Sequence, residues 1–214
     1  MNSQVATSLL PRFQKALRKI GVRSGEKLFE KVIAKYEEEH RHYHNTSHLL
    51  SCLGWFDKFT ELADTQHVVE LALWFHDVIY DPKKNDNEEQ SALFTQTELL
   101  ALGASANEVS TFTQYIRATK AHVGSQGDEA LVIDIDLSIL GAPTNVFAEF
   151  EEQIREEYRH IPTPRFNSGR LAILENFLNR PVLYHHERIR NELEAQARNN
   201  LQQRIDVLRA SAVL

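Results

Sequence analysis

Apolar residues recur along most of the chain at spacings of three and four, which is the period of an amphipathic helix. No internal repeat, low-complexity run or linker separates the periodic segments. The pattern predicts an all-α protein that folds as a single domain and ends in a long C-terminal helix. The predicted helices cover residues 11–20, 25–39, 45–59, 66–80, 86–102, 105–122, 143–160, 163–179 and 186–208. The apolar stripe of the last helix consists of Leu193, Ala197, Leu201, Ile205 and Leu208.

Capping patterns indicate where several of these helices begin and end. Asp86 with Glu89, and Ser105 with Glu108, have the spacing of a capping box, in which the two side chains satisfy free N–H groups of the first turn. The dipeptide Asp81-Pro82 should end the helix over residues 66–80, because a residue before proline is displaced from helical geometry.

The run over residues 127–141 fits two kinds of secondary structure. Its alternation around Asp134 and Asp136 suits a strand, whereas its length and its helical surroundings suit a helix. On a strand the two carboxylates share one face, but on a helix they diverge by about 200 degrees and only one can enter a given pocket. In the helical case Asp136 has the more apolar neighbours one turn away, so we expect Asp136 to be the more buried.

The composition is that of an ordinary globular protein. Of the 214 residues, 42% are hydrophobic and 25% are charged, and the net charge is −6. Lys and Arg are scattered, which argues against a nucleic-acid-binding or membrane-binding surface. The only cysteine, Cys52, allows neither an internal disulfide nor a thiolate metal cluster, and we expect it to be a small core residue. Because the N-terminus has no continuous apolar run, the prediction is a cytoplasmic protein without a signal peptide or membrane span.

The most informative chemistry is the adjacent pair His76-Asp77, which lies in the apolar run over residues 71–80. On a helix, the neighbours of His76 one turn away are largely apolar, so its imidazole should point into the core. A buried carboxylate is costly unless it is hydrogen-bonded, paired with a cation or bound to a metal. An isolated pair of this kind is more often a core histidine satisfied by its own aspartate than a metal site.

A histidine-rich segment over residues 40–50 offers a second imidazole. Asn45 can cap the helix that follows, and His48 lies inside that helix, whereas the other histidines precede the cap. Two imidazoles and two carboxylates suit a divalent ion such as Mn²⁺, Fe²⁺, Zn²⁺ or, less well, Mg²⁺, with positions left open for water and phosphate oxygens. The candidate metal ligands are His48, His76, Asp77 and Asp136.

The order of these ligands on a helical chain resembles the HD-domain metal-dependent phosphohydrolases. The segments YHNTSHL, ALWFHDVIYD, NEEQSA and DIDLSILG are similar to those of a bacterial subgroup of predicted HD phosphohydrolases, and EAQARNNL resembles that subgroup's closing motif. The resemblance extends from Tyr36 to the C-terminal helix. It implies a single HD-type domain, with the metal-site core over residues 36–141 and the helices of residues 143–214 packed on it.

The resemblance also implies an activity, namely the hydrolysis of a phosphate ester or anhydride bond by a metal-activated water. The expected substrate is a small phosphorylated metabolite, with a nucleotide as the favoured class, and Asp77 and Glu88 would be catalytic. The alternatives are a non-catalytic sensor module that binds a metal and a nucleotide, and a helical scaffold with satisfied core histidines. The C-terminal stripe could cover the domain or form a homodimer. The candidate substrate-binding residues, by position or charge, are Lys120, His122, Arg155 and Arg198.

Overall fold

A computed structural model describes residues 3–123 and 126–211, and within these residues the regular secondary structure is entirely helical. The predicted all-α class and long C-terminal helix are therefore confirmed. Among the described residues no single helix is long and apolar enough to cross a membrane, and only one sharply bent pair of helical segments reaches that length and hydropathy together. The helices are α1 Ser3–Lys19, α2 Glu26–Tyr36, α3 Thr46–Phe59, α4 Gln66–Phe75, α5 Asn87–Ala101, α6 Ala106–Ala118, α7 Gly127–Asp136, α8 Thr144–Glu157, α9 Thr163–Leu178 and α10 Glu187–Ser211.

Contacts within the chain divide it into two compact units, Met1–Ile133 and Asp134–Leu214. The boundary falls inside α7, so this helix contributes to both units. A short 3₁₀ helix over Leu137–Gly141 follows α7 directly, and another over Thr60–Leu62 follows α3. The single HD-type domain implied by the sequence stays a prediction.

The first unit is built around α4, which contacts α1, α3, α5 and α6. Every residue from Leu71 to Phe75 has no exposed surface, as expected of a helix that is apolar on all sides. Aromatic rings fill the space between α4 and the first two helices. Phe13 meets the edge of Trp74 at 4.9 Å between ring centroids and lies 5.7 Å from Phe29.

The end of α4 differs from the prediction, because the helix ends at Phe75 and does not continue to Tyr80. Side chains of α5 bind the backbone that follows. Ser91 Oγ accepts a hydrogen bond from the Ile79 amide at 3.0 Å and donates to the Ile79 carbonyl. Asn87 makes the same pair of bonds with the backbone of Asp81, both at 3.0 Å. These bonds replace the helical hydrogen bonds that the segment would otherwise need.

Other predicted helix boundaries were also wrong. Helix α1 begins at Ser3, with Pro11 inside it, and α6 ends at Ala118, well before His122. The structure shows no side-chain capping bond from Asp86 or Ser105. Their expected partners pair elsewhere, because tertiary neighbours offer them opposite charges or hydrogen bonds: Glu89 binds Arg117 at 2.6 Å, and Glu108 binds His67 at 2.8 Å.

The second unit is organised by α10, which contacts α8, α9 and the 3₁₀ helix over Leu137–Gly141. Its predicted apolar stripe is buried as expected. Gly141 approaches α10 so closely that a Cβ atom there would lie 2.7 Å from Leu193 Cβ. Asn200 of α10 donates to the carbonyls of Leu140 and Ala142, both at 2.8 Å, and so fixes the same segment.

The run over residues 127–141, which fits either a strand or a helix by sequence, is helical and consists of α7 and the 3₁₀ helix that follows it. The burial of its two central aspartates is the reverse of the prediction. Asp134 has no exposed surface, whereas Asp136 is half-buried. The reason is non-local: the Asp134 carboxylate accepts hydrogen bonds from the backbone N–H groups of His185 and His186, both at 2.8 Å. These bonds offset the cost of burying a charge.

Candidate metal centre

Helix α3 places His48 in the interior of the first unit. Asn45 caps this helix as predicted, since its side-chain oxygen accepts a hydrogen bond from the Ser47 amide at 2.8 Å. The Asn45 amide group also donates to the His42 carbonyl at 2.8 Å, which fixes the turn that enters the helix. His48, the third residue of α3, is only 4% exposed.

The end of α4 places the second imidazole. His76 is the C-cap residue of α4 and is 1% exposed. Its Nδ1 lies 2.9 Å from the Leu73 carbonyl oxygen. Because a carbonyl can only accept, Nδ1 carries a proton, so Nε2 is the nitrogen of His76 that can exchange its proton for a metal ion. Metal-binding histidines typically donate a hydrogen bond from the ring nitrogen that does not bind the metal, since this bond fixes the ring and its tautomer.

Three side-chain atoms converge at this point. His48 Nε2 and His76 Nε2 are 3.0 Å apart, and Asp77 Oδ2 lies 3.1 Å from His76 Nε2 and 3.4 Å from His48 Nε2. Ligand atoms at metal–ligand distances of 2.0–2.1 Å lie about 2.9 Å apart around an octahedral ion and about 3.4 Å apart around a tetrahedral one. The three separations fall within this range, so the residues fit a divalent metal ion.

A fourth side chain, Cys52, lies beside the two imidazoles. Its sulfur is 3.7 Å from His48 Nε2, and ligand atoms of His48, Cys52 and His76 all lie within 4.8 Å of one another. The expected burial of Cys52 is confirmed, but its proximity to the imidazoles was not predicted. The sequence does contain a signal for this proximity: Cys52 lies four residues after His48, which places both side chains on one face of α3. His48, Cys52 and His76, with Asp77 beside the two imidazoles, could thus hold a metal ion in the first unit.

The electrostatic surroundings keep Asp77 ionised. Its burial opposes ionisation, but the charge of His76 and the hydrogen bonds from His48 and His76 outweigh that cost. Together they hold the pKa of Asp77 well below its ordinary value. The Asp77 side chain is 15% exposed.

An aromatic layer borders the two imidazoles. The His44 ring stacks on Tyr80 at 4.2 Å between centroids and meets His48 edge-on at 5.9 Å. His40 Nε2 donates to the Tyr80 carbonyl at 2.8 Å. Although these histidines precede the helix cap, as the sequence indicates, the fold brings both to the segment that follows Asp77.

The remaining predicted residues of the first unit lie on its surface or near it. Glu88 is in the first turn of α5 and is half-buried. Lys120 is exposed, and its ammonium group donates to the Asn85 carbonyl, in the loop that precedes α5. His122 has a left-handed backbone, with φ of 46°. The catalytic role predicted for Glu88 and the substrate-binding roles predicted for Lys120 and His122 stay predictions.

In the second unit, the two arginines predicted to bind phosphate hold the backbone together. Arg155 donates to the carbonyls of Tyr158 and Ile161, at 2.8 and 3.1 Å. Arg198 pairs with Glu194 and donates to carbonyls of the segment between α9 and α10. These local bonds account for both arginines, and their role in substrate binding stays a prediction. Asp136, the last residue of α7, stays a predicted ligand.

Sequence reasoning also passed over several buried polar groups, including two that bind backbone groups. One is Arg41, which is 5% exposed and lies between α2 and α3. The other is the cluster of Asp134 with His185 and His186, in which each histidine Nδ1 lies 3.0–3.1 Å from an Asp134 oxygen. The position of Arg41 inside the histidine-rich segment could have indicated that it is buried. No local pattern indicated the second, because 51 positions separate Asp134 from His185.

Comparison of the chain with protein-family models, with characterised proteins and with solved structures gave no match. The motifs within the chain and the geometry around His48 and His76 are therefore the basis for a functional proposal.

Proposed function

We propose that this protein is a metal-dependent phosphohydrolase that acts on a small phosphorylated metabolite, with a nucleotide as the favoured class. The observation that carries the proposal is the convergence of His48 Nε2, His76 Nε2 and Asp77 Oδ2 within 3.0–3.4 Å. The order of the motifs along the chain, which resembles that of HD-domain phosphohydrolases, supports the choice of reaction.

In this proposal His48, His76 and Asp77 hold the ion. Such a set of nitrogen and oxygen ligands suits Mn²⁺, Fe²⁺ or Zn²⁺ better than Mg²⁺. When bound, a divalent ion supplies Lewis acidity, which makes water nucleophilic at neutral pH and neutralises charge on phosphate oxygens.

The side chains of the protein then have separate tasks. Because the pKa of Asp77 is well below its ordinary value, this carboxylate is a weak base, and its task is to bind and orient. Glu88 is half-buried at the start of α5 and is the proposed proton acceptor for the attacking water. Lys120 and His122 are the proposed partners of the phosphate, as cationic or donor groups that stabilise the charge of the transition state.

The first test is metal content by elemental analysis, on protein purified without chelator or histidine tag. Stoichiometric transition metal is expected in the wild type and not in His76→Ala. Phosphate release should then be measured on a panel of nucleotides and other phosphorylated metabolites. Hydrolysis by the wild type that disappears in folded Asp77→Ala would support the proposal.

Glu88 and Glu89 provide a matched pair of variants for the catalytic step. Glu88→Gln should bind metal but hydrolyse about 10²–10⁴ times more slowly, the usual contribution of a general base. Glu89→Gln, in the same turn, removes a surface pair with Arg117 and should retain activity. Metal binding without hydrolysis of any substrate would favour the sensor alternative, and a wild type that cannot be loaded with metal would exclude both.

A further inference from the structure

Arg41 is the most completely buried cation near the candidate metal centre, with no exposed surface on its side chain. Its guanidinium group donates to the backbone carbonyl of Asp77 at 2.6 Å and to that of Val78 at 3.0 Å. It also donates to the carbonyl of His44 at 3.1 Å. A single planar group therefore bonds the backbone of two segments, one leading into α3 and the other following α4.

The carbonyls of Asp77 and Val78 lie just beyond the end of α4. A helix end carries partial negative charge and leaves carbonyl groups without helical partners, and in a buried position these need donors. Arg41 supplies both the donors and the positive charge. Glu38 balances that charge, since its carboxylate lies 3.1 Å from the guanidinium group. The rings of Tyr36 and Tyr80 lie 5.3 and 5.6 Å from the guanidinium carbon, which completes its enclosure.

These contacts fix the geometry of two proposed ligands. The carbonyl bonded at 2.6 Å belongs to Asp77, so Arg41 holds the backbone from which the Asp77 carboxylate projects. The His44 carbonyl belongs to the segment that enters α3, the helix that carries His48. Arg41 therefore links the backbone of Asp77 to the segment that enters α3, through carbonyl groups and not through ligand atoms.

We propose that Arg41 is a positioning residue of the metal centre, which holds Asp77 and the start of α3 at the separation that a divalent ion requires. This inference rests on the proposed metal binding, but not on the proposed hydrolysis. Groups that orient metal ligands typically contribute 10- to 100-fold to metal affinity. Lysine cannot replace arginine here, because one ammonium group cannot reproduce a planar fork that bonds several carbonyls.

The test is the Zn²⁺ dissociation constant, measured by competition with a chromogenic chelator, for the wild type and Arg41→Lys. The matched control is Arg12→Lys. Arg12 is also a multiply bonded arginine of the first unit, but its partners are the side chains of Asp57 and Glu70. Helix content by circular dichroism and the urea midpoint of unfolding are recorded for each variant.

We expect Arg41→Lys to bind Zn²⁺ about 10- to 100-fold more weakly than the wild type, and Arg12→Lys to bind as the wild type does. Affinity within two-fold of the wild type in Arg41→Lys would overturn the inference, as would equal weakening in both variants, which would reflect general destabilisation. A wild type that binds no Zn²⁺ would overturn the metal centre itself, and the role of Arg41 with it.

If Arg41→Lys does not fold, Glu38→Gln tests the same inference. The Glu38 side chain is 30% exposed, so this variant changes a position at the edge of the core. It leaves the guanidinium group without its carboxylate partner, and Zn²⁺ affinity should fall several-fold. Unchanged affinity in folded Glu38→Gln would overturn the positioning role.

Discussion

His48 and His76 face each other with their Nε2 atoms 3.0 Å apart, although 28 positions separate them in the chain. Both rings are almost completely buried. Since the Nδ1 atom of His76 donates to Leu73, its Nε2 atom, which faces the other ring, is the nitrogen that can exchange a proton for a metal ion. Such an arrangement needs a shared proton or a shared cation, and the ionised Asp77 beside it favours a cation.

Zn²⁺ should therefore stabilise the wild-type protein against heat. A ligand that binds only the folded state contributes about 2.7 kcal/mol at a free concentration 100 times its dissociation constant. The measurement is the midpoint of thermal unfolding with and without Zn²⁺. His48→Ala and His76→Ala should lose the effect, whereas His67→Ala, which removes only a pair with Glu108, should keep it. An equal rise in all four proteins would mean that Zn²⁺ binds elsewhere.

The proximity of Cys52 predicts a spectroscopic signal. Thiolate ligands favour soft or borderline ions, so a sulfur 3.7 Å from His48 Nε2 should bind Co²⁺ that replaces the native metal. We expect a thiolate-to-Co²⁺ charge-transfer band in the near ultraviolet for the wild type. The band should be absent from Cys52→Ala, which keeps the imidazoles and a small buried side chain. A Co²⁺-loaded wild type that lacks this band would show that Cys52 is only a core residue.

Asp134 should matter more to stability than any exposed aspartate. Its carboxylate has no exposed surface and accepts hydrogen bonds from two backbone N–H groups and two imidazoles. Asp134→Asn removes the charge and leaves buried donors without acceptors, which should lower the free energy of unfolding by about 3 kcal/mol. Urea unfolding followed by circular dichroism measures this. The control is Asp206→Asn on the exposed face of α10, and a similarly small change in both variants would contradict the prediction.

Tyr36 should make stability depend on alkaline pH. Burial raises the pKa of Tyr36 from 10.0 to about 12, and the charge of Asp77 adds to the effect. The folded state therefore holds its proton more tightly than the unfolded state does. The resulting stability is fully present below pH 10 and is lost as the pH rises towards 12.

The comparison of wild type with Tyr36→Phe isolates this contribution from the titration of other groups. A pKa rise from 10.0 to about 12 corresponds to roughly 2–3 kcal/mol. As the pH rises from 10 to 12, the free energy of unfolding of the wild type should fall by roughly 2–3 kcal/mol more than that of the variant. Parallel losses in the two proteins, measured by urea unfolding at each pH, would show that Tyr36 ionises equally in both states.

Helical periodicity determined the fold class, most helices and the stripe of α10, because an amphipathic pattern depends only on spacing within each segment. The need of ionisable groups in an apolar run for partners indicated His76 and Asp77, and the position of His48 after the Asn45 cap indicated the second imidazole. Local patterns were less reliable at helix ends. They predicted capping boxes for Asp86 and Ser105, which the structure lacks because the second residue of each box pairs with a distant side chain.

Only the tertiary structure decided which buried polar groups meet. The sequence placed Asp134 and Asp136 on one segment but could not show that His185 and His186 supply donors to Asp134, so it predicted the wrong one to be buried. It could not show that α4 ends before Asp77, or that Arg41 binds the carbonyls there. Periodicity determines which face of a helix is buried, whereas the partners on that face are set by chain segments far apart in sequence.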